Sequence, residues 1–476
     1  MTLKLWLLLG VLIVVGVGVY HVFKPLPAGL SFAGPRHPLV APKLLTDVTY
    51  RDSHGDLHLD HTIFDEVFRL IGQAEQLVVV DMFLFNDSKP DDRYRPLADQ
   101  LTTLLIERHR RVDGLRVIVI TDPLNTLYGG TPSPYLERLR AEGIPVVETA
   151  LTPLRDSNPL WSAGWRVCCE WLGNSADAGW LPNLLDGGKV TLRSYLALPN
   201  FKANHRKTLI VDEGAQLRGL ITSANPHDGS ARHGNIALSF SGPAVTDLLR
   251  TEQAVLALSD INFPVPPFSM PDRVEQDADA TTARIVTESK ILSTALAMIR
   301  TANPGDRLDL AMFYLSHRDL VEAFVEARRR GVTIRILLDP NNEAFGHAKS
   351  GIPNRQVAME FHQAGIPVRW CNTQGEQCHS KLLVRQDTDG QWQLLLGSAN
   401  FTRRNLNDLN LETDVHVQGT ESTALLGDIE AYFDRLWQQG PDQSPTLSLP
   451  YEAYADPSHW RYWRYRVMEA TGLSTF

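Results

Sequence analysis

The chain has 476 residues, 43% hydrophobic and 21% charged, enough material to bury two or three domains. Its formal net charge of -9 argues against a protein that coats nucleic acid with a generally basic surface, while leaving room for a local basic groove. Cys168, Cys169, Cys371 and Cys378 lack the paired spacing of a zinc site and outline no disulfide framework, so they fit a reducing compartment or one or two incidental bridges.

At the amino terminus, Lys4 precedes an apolar run from Leu5 to Tyr20. Nineteen residues of helix would span about 28 Å, close to one hydrocarbon core. Residues 1–40 are therefore expected to form a single-pass membrane anchor and tether. The alternative is a cleaved signal, but the small-x-small triplet Ser31-Phe32-Ala33 lies well beyond the end of the apolar run. Lys4 lies on one side of the run and Lys24, Arg36 and Lys43 on the other, so the charge rule gives no orientation.

Beyond the anchor the chain repeats itself. Leu77-Val78-Val79-Val80-Asp81-Met82-Phe83 resembles Arg307-Leu308-Asp309-Leu310-Ala311-Met312-Phe313. The run from Gly114 to Asp122-Pro123 resembles that from Gly331 to Asp339-Pro340, and Gly143-Ile144-Pro145-Val146 matches Gly365-Ile366-Pro367-Val368. Leu77–Val80, Arg116–Ile120 and Thr208–Val211 read as buried strands, with helices over Leu97–Arg111 and Asp319–Arg330. This alternation predicts an α/β protein of two related lobes, residues 41–258 and 282–440. Between them, residues 259–281 carry Pro264, Pro266, Pro267 and Pro271 and read as an extended linker. Arg108–Arg111 and Arg328–Arg330 sit at predicted helix ends, where cations favour the dipole; phosphate contacts are the other reading.

The halves differ at one place. Gly143 and His205 are 62 residues apart, but Gly365 and His379 only 14, which leaves an insertion at about 151–200 in the first half. It holds Trp161, Trp165, Trp171 and Trp180. It reads either as a packed subdomain with its own small core or as a rim that touches lipid. The segment 441–476 is set apart as an aromatic and basic tail, with Trp460-Arg461-Tyr462-Trp463-Arg464-Tyr465-Arg466. That composition suits packing with wet arginines, a membrane headgroup region, or nucleic-acid stacking.

The strongest signal is His205-x-Lys207 with Asp212, followed by Ser223-x-Asn225, and its repeat His379-x-Lys381, followed by Ser398-x-Asn400. Histidine attacks phosphorus or protonates a leaving oxygen near neutral pH. Lysine supplies positive charge to phosphoryl oxygens, and Ser and Asn donate further hydrogen bonds. One histidine as nucleophile and one as acid, then base, is what cleavage of a phosphodiester requires.

With these paired motifs the chain resembles the phospholipase D superfamily over nearly its whole length after the anchor. The resemblance implies two pseudo-symmetric α/β/α lobes with one active site between them, no metal and no cofactor. It further implies a ping-pong reaction through a covalent phosphohistidine, resolved by water or another alcohol. His205, Lys207, Asn225, His379, Lys381 and Asn400 would surround the phosphate, with Ser223 and Ser398 assisting. The family often carries a carboxylate that orients a histidine, and Glu412 fits in the second half where Asn235 stands in the first. Placed beside His379, Glu412 would make that histidine the initial acid and His205 the nucleophile. The second motif also departs from the pattern, with Gln386 at the position equivalent to the structural Asp212.

The apolar terminus, tryptophan-rich insertion and acidic balance favour a phospholipid substrate and a bilayer partner, through hydrolysis or through phosphatidyl transfer as in cardiolipin synthesis. A nuclease is the second reading and a non-catalytic scaffold the third. Asn400-Phe401-Thr402 would place a glycosylation sequon inside the site, which points to a bacterial inner membrane. Oligomeric state is not readable from the sequence.

Overall fold

The computed structural model describes residues 3–87, 94–183, 188–265, 268, 281–344, 347–420, 423–437 and 445–474. Most of the linker read at 259–281 lies outside them. The expected elements form strands Leu77–Met82, Arg116–Thr121 and Lys207–Glu213 and helices Leu97–Arg111 and Arg318–Arg329. Leu77–Met82 is buried at every position, which is why its sequence runs apolar from Leu77 to Val80 rather than alternating.

Each lobe is built on one mixed sheet, and the two sheets share a strand order. In the first the order is Leu57–His61, Val40–Arg51, Asn235–Ser241, Gln216–Thr222, Lys207–Glu213, Leu77–Met82, Arg116–Thr121, Val146–Glu148. In the second it is His37–Pro38, Thr282–Thr287, Thr413–Thr420, Gln391–Gly397, Lys381–Gln386, Arg307–Met312, Thr333–Leu338, Val368–Cys371, Ser448–Pro450. The motif strands sit near the centre of each sheet, antiparallel to the first repeat block, with Met82 opposite Lys207 and Met312 opposite Lys381.

A shared apolar core joins the lobes. It contains Ile210, Ile221 and Leu238 from the first sheet and Leu382, Leu394 and Val415 from the second. Helix Pro243–Ala257 of the first lobe packs on strand Thr282–Thr287 of the second, and helix Ala424–Leu436 returns the contact onto Val40–Arg51. The terminal segments are woven in as well. Gly34 N donates to Ile285 O at 2.9 Å and Thr287 N to Phe32 O at 2.9 Å, so the tether crosses the second lobe before the first lobe begins. The stretch read as a separate tail is, in its described part, a component of the second lobe: Ser448–Pro450 extends the sheet beside Val368–Cys371, and Tyr465 of helix His459–Thr471 is fully buried.

Helix Leu3–Phe23 is, among the described residues, the one long and apolar enough to cross a membrane. The insertion does not use its tryptophans as a core. Trp165 is buried beneath Arg193 at 4.5 Å, whereas Trp161, Trp171 and Trp180 are exposed. The cysteines, read as unpaired or incidental, form two disulfides, Cys168–Cys169 and Cys371–Cys378.

Asp212 accepts hydrogen bonds from the backbone N–H groups of Glu75, Gln76 and Leu77 at 2.8–3.1 Å and so fixes the start of the neighbouring strand. In the second lobe Gln386 turns to Glu430 at 2.9 Å. The bracing there comes instead from Asp306, which accepts from Asn303 N at 2.7 Å, Thr388 N at 3.0 Å and Arg385 Nη2 at 3.2 Å. The carboxylate has moved to the loop before the strand and works in the opposite direction. Asp212→Ala and Asp306→Ala should each cost about 3 kcal/mol by stranding buried donors, and Gln386→Ala less than about 1 kcal/mol. Thermal unfolding of the three variants checks this ranking.

Candidate active site

Both histidines lie just before the central strand of their lobe, and each is held by the other lobe. His205 N donates to Leu411 O at 2.9 Å, and His379 N donates to Gly234 O at 2.7 Å. Isolated parallel bridges, Asn204 with Leu411 and Gly234 with Cys378, fix the two segments in the same register. The residue after each anchor point is therefore delivered to the opposite histidine. His205 Nδ1 lies 2.8 Å from Glu412 Oε1, and His379 Nδ1 lies 3.1 Å from Asn235 Oδ1. This corrects the expected pairing. Glu412 serves His205 rather than the histidine of its own half, because the strand register crosses the lobe boundary.

The hydrogen-bond donors follow from chemistry. An ionised Glu412 only accepts, so the His205 Nδ1–H donates to it. Asn235 Nδ2 donates to the His233 carbonyl at 3.0 Å, which fixes the amide orientation and leaves Oδ1 as acceptor for His379 Nδ1–H. Both rings thus carry the Nδ1 proton and leave Nε2 for chemistry. Ser223 Oγ donates to Asn235 Oδ1 at 3.0 Å and accepts from Ile236 N at 3.1 Å. Ser398 Oγ donates to Glu412 and accepts from Thr413 N at 3.0 Å. The two serines, expected on the phosphate, instead hold the groups that orient the histidines. Asn405 Nδ2 donates to the other oxygen of Glu412.

The lysines lie beneath the histidines. Lys207 Nζ donates to His205 O at 2.6 Å and Lys381 Nζ to His379 O at 2.7 Å. Phe83 packs against His205 at 4.7 Å between ring centroids and lies 5.1 Å from the Lys207 ammonium. Phe313 repeats this, 5.0 Å from the His379 ring and 5.2 Å from Lys381. Asn225 and Asn400 are both nearly buried; Asn225 Oδ1 accepts from Leu84 N at 3.2 Å, while Asn400 Oδ1 is buried with no hydrogen-bond partner among the described residues.

Burial dominates the electrostatics. It takes His205 down to about 4, even though Glu412 pulls the other way. His379, with no carboxylate, is held well below its usual value by burial and then by Lys381, His233 and Lys207. Burial takes Lys207 to about 7, opposed by Glu412 and Asp81, and places Lys381 far below an ordinary lysine, with Lys207 adding repulsion. The opposing influences of burial and of His205, Lys207 and Ser398 leave the Glu412 carboxyl below its usual range. Two histidines and two lysines thus hold their protons weakly around one firmly ionised carboxylate.

Two pairs of supporting residues escaped the sequence reading. Asp122 accepts from Asn204 N at 2.7 Å, and Asp339 accepts from Cys378 N at 2.8 Å, so each fixes the residue before a motif histidine. Burial raises both carboxyls to about 7. Asp122 and Asp339, like Phe83 and Phe313, close a repeat block, and recurrence at the end of a block was the signal that could have marked them. Arg206, fully buried inside the first motif, pairs with Glu288 of the second lobe at 2.7 Å and locks the halves below the site. Among the described residues no cluster of metal-ligating side chains is present.

Residues 296–437 match the family model described as cardiolipin synthase, PLD-like domain. A stretch of 130 residues, 27% of this chain, is 29% identical to a mitochondrial cardiolipin hydrolase of Chlamydomonas reinhardtii and spans 51% of it, about half the length of that relative. Among solved structures, the fold is similar to that of phosphatidylserine synthase from Haemophilus influenzae Rd KW20, with a TM-score of 0.56 at 11% identity over 92% of this chain and 96% of that one, a likeness of fold alone. With the duplicated lobes and the paired motifs between them, the matching domain over residues 296–437 and the similarity to the cardiolipin hydrolase support the chain's membership of the phospholipase D superfamily.

Proposed function

We propose that the protein is a membrane-anchored phosphodiesterase that cleaves phospholipids through a phosphohistidine intermediate, by hydrolysis or by phosphatidyl transfer. The observation that carries this reading is the crossed pair of histidines, each with Nδ1 held by the opposite lobe, so that Nε2 is the nitrogen left for chemistry, and each with a buried lysine on its own carbonyl. The phospholipid class is supported by the cardiolipin synthase description of the matching family model and by the cardiolipin hydrolase relative. Helix Leu3–Phe23 supports the anchor. The catalytic roles of His205, His379, Lys207, Lys381, Glu412 and Asn235 belong to the same proposal.

The crossed pairing supports His205 as the nucleophile, for a different reason from the one the sequence offered. Glu412 fixes the tautomer that presents the Nε2 lone pair, and its charge stabilises the imidazolium that forms when Nε2 bonds to phosphorus. His379 then donates its Nε2 proton to the leaving alkoxide as the P–O bond breaks. Asn235 steadies that ring without holding it cationic, so the protonated form is a strong acid. In the second step His379 takes a proton from water or an acceptor alcohol, whose oxygen displaces His205 from phosphorus. The lysines and the amides of Asn225 and Asn400 balance charge on the phosphoryl oxygens.

The full chain in nanodiscs containing phosphatidylglycerol, with products read by mass spectrometry, tests the activity: phosphatidic acid marks hydrolysis and cardiolipin marks transfer. Cleavage of an oligonucleotide alone would replace the lipid reading with a nuclease. His205→Ala should lower turnover at least about 10³-fold on every substrate, whereas His379→Ala should lose about 10²–10⁴-fold on lipid but far less on a p-nitrophenyl phosphodiester. Trapping a phosphoryl adduct on His379 instead of His205 would reverse the roles.

Glu412→Gln keeps an acceptor for Nδ1 but removes the charge, and kcat should fall on the order of 10²-fold with little change in KM. Equal losses in binding and turnover would assign Glu412 a folding role only.

Anion binding should take up protons, since a phosphate raises the depressed pKa values of Lys207, Lys381 and His379. The complex then holds more protons than the free protein, so affinity falls as pH rises through about 7, the value to which Lys207 is lowered. Calorimetry with inorganic phosphate in buffers of different ionisation enthalpy measures the uptake; a pH-independent affinity would refute it.

A further inference from the structure

Three apolar elements outside the site converge on one part of the molecule. The first is helix Leu3–Phe23. Near its end it is gripped by the insertion: Asp156 N donates to His21 O at 3.0 Å, and Arg155 Nε donates to Lys24 O at 2.9 Å. Gly18 is the buried residue of this helix, and a Cβ added there would stand 3.2 Å from Ala163 Cβ. The missing side chain allows helix Pro159–Cys168 to lie directly against the anchor. Gly18 is about 7.5 Å, five residues of rise, inside the end at Phe23. The insertion helix is therefore level with the last turns of the anchor, not beyond them.

On its free face this insertion helix shows Leu160, Trp161 and Val167, with Trp171 continuing the line just past its end. Leu160 and Val167, seven residues apart, share one helical face with Trp161 at its edge, and Leu160 is 77% exposed and Trp171, beyond the helix end, 72%. The buried face, with Ser162, Ala163 and Trp165, points inward.

The third element is helix His459–Thr471. Tyr465 and Glu469 fasten one face to Ser316, whose carbonyl accepts from Tyr465 Oη at 3.1 Å and whose Oγ donates to Glu469 at 2.7 Å. The other face leaves Trp460, Trp463 and Val467 exposed, with Arg464 among them. This helix meets the insertion directly. Gly472 lies so close to the Ser157 carbonyl that a Cβ would collide with it, and Arg404 bonds both Ser157 Oγ, at 3.1 Å, and the Ser474 carbonyl.

We infer that the exposed faces of helices Pro159–Cys168 and His459–Thr471, continuous with the anchor helix, form one platform that seats in the headgroup region of a lipid bilayer. The inference rests on the reading of Leu3–Phe23 as a bilayer-crossing helix. The occupant is lipid rather than protein because the insertion helix packs alongside the anchor within its apolar length, at a depth where the surroundings are the bilayer itself. Exposed indoles beside an arginine suit that boundary, with an apolar ring, a polar N–H and a cation for anionic headgroups. The platform also touches the site. Arg404, which joins its two helices, precedes Asn405, which holds Glu412. A bilayer under this surface would hold lipid phosphates next to His205 without extraction of whole lipid molecules.

The full chain in vesicles of phosphatidylcholine and phosphatidylglycerol, doped with a phosphatidylcholine carrying a diazirine high on its acyl chain, provides the test. Photolysis and peptide mapping should place adducts in 160–171 and 460–467 as well as in 3–23. Labelling confined to 3–23 overturns the platform and leaves the anchor; labelling absent from 3–23 overturns the anchor and, with it, the platform that rests on it. A variant carrying Val167→Glu, Trp171→Glu and Val467→Glu should turn over vesicle-borne phosphatidylglycerol about tenfold or more slowly, with bis(p-nitrophenyl) phosphate cleaved at the unaltered rate. An equal loss on both substrates, or none on vesicles, overturns the proposal.

Discussion

The contact between His205 and Glu412 is the constraint on which the rest of the site depends. It is an ionised carboxylate with no exposed surface, facing an imidazole that is itself nearly buried. Such a charge is tolerated in a protein interior only when its oxygens are fully hydrogen-bonded. Here Ser398, Asn405 and the imidazole supply the donors. The bond joins residues 207 positions apart, on opposite lobes, so the halves must dock in one register for Glu412 to be satisfied. The Arg206–Glu288 pair and the shared apolar core hold that register from below.

Duplication would by itself make two identical histidine environments. A single residue makes them different, since Asn235 occupies in one half the place that Glu412 has in the other, and the crossing delivers each to the opposite histidine. One imidazole then faces a full charge and the other a dipole, in otherwise matching frames of serine, strand and phenylalanine. The proposed phosphodiester cleavage needs unequal partners, one to bond to phosphorus and one to give up a proton. An amide in place of a carboxylate at the orienting position would bias which does which.

The buried lysines extend this logic. Two ammonium groups in a dry site repel each other and lose their hydration, so both hold their protons weakly. In the proposed reaction the incoming phosphate would be the missing counter-charge, so the site would be built for the complex rather than for the free state, with the stability given up there recovered in the cores of the two sheets.

The sequence determined the duplication, the α/β class, the extent of strands such as Leu77–Met82 and helices such as Leu97–Arg111, and the two His-x-Lys pairs. Each of these is written in local periodicity or in the recurrence of short blocks. It also pointed to Glu412 and Asn235 as orienting residues. It assigned Glu412 to His379 because both belong to the same half, and nothing in a linear pattern says that a bond crosses between copies. The roles of Ser223 and Ser398 were misread for the same reason: a hydroxyl near a phosphate motif is chemically suited to phosphate until its neighbour is known to need it. Asp306 replaces the missing motif aspartate from about eighty residues away in the chain, and Cys371 and Cys378 are joined by backbone placement. Only tertiary structure decided these points, because hydrogen bonds and charge pairs depend on distance in space, whereas periodicity and repeats record only distance along the chain.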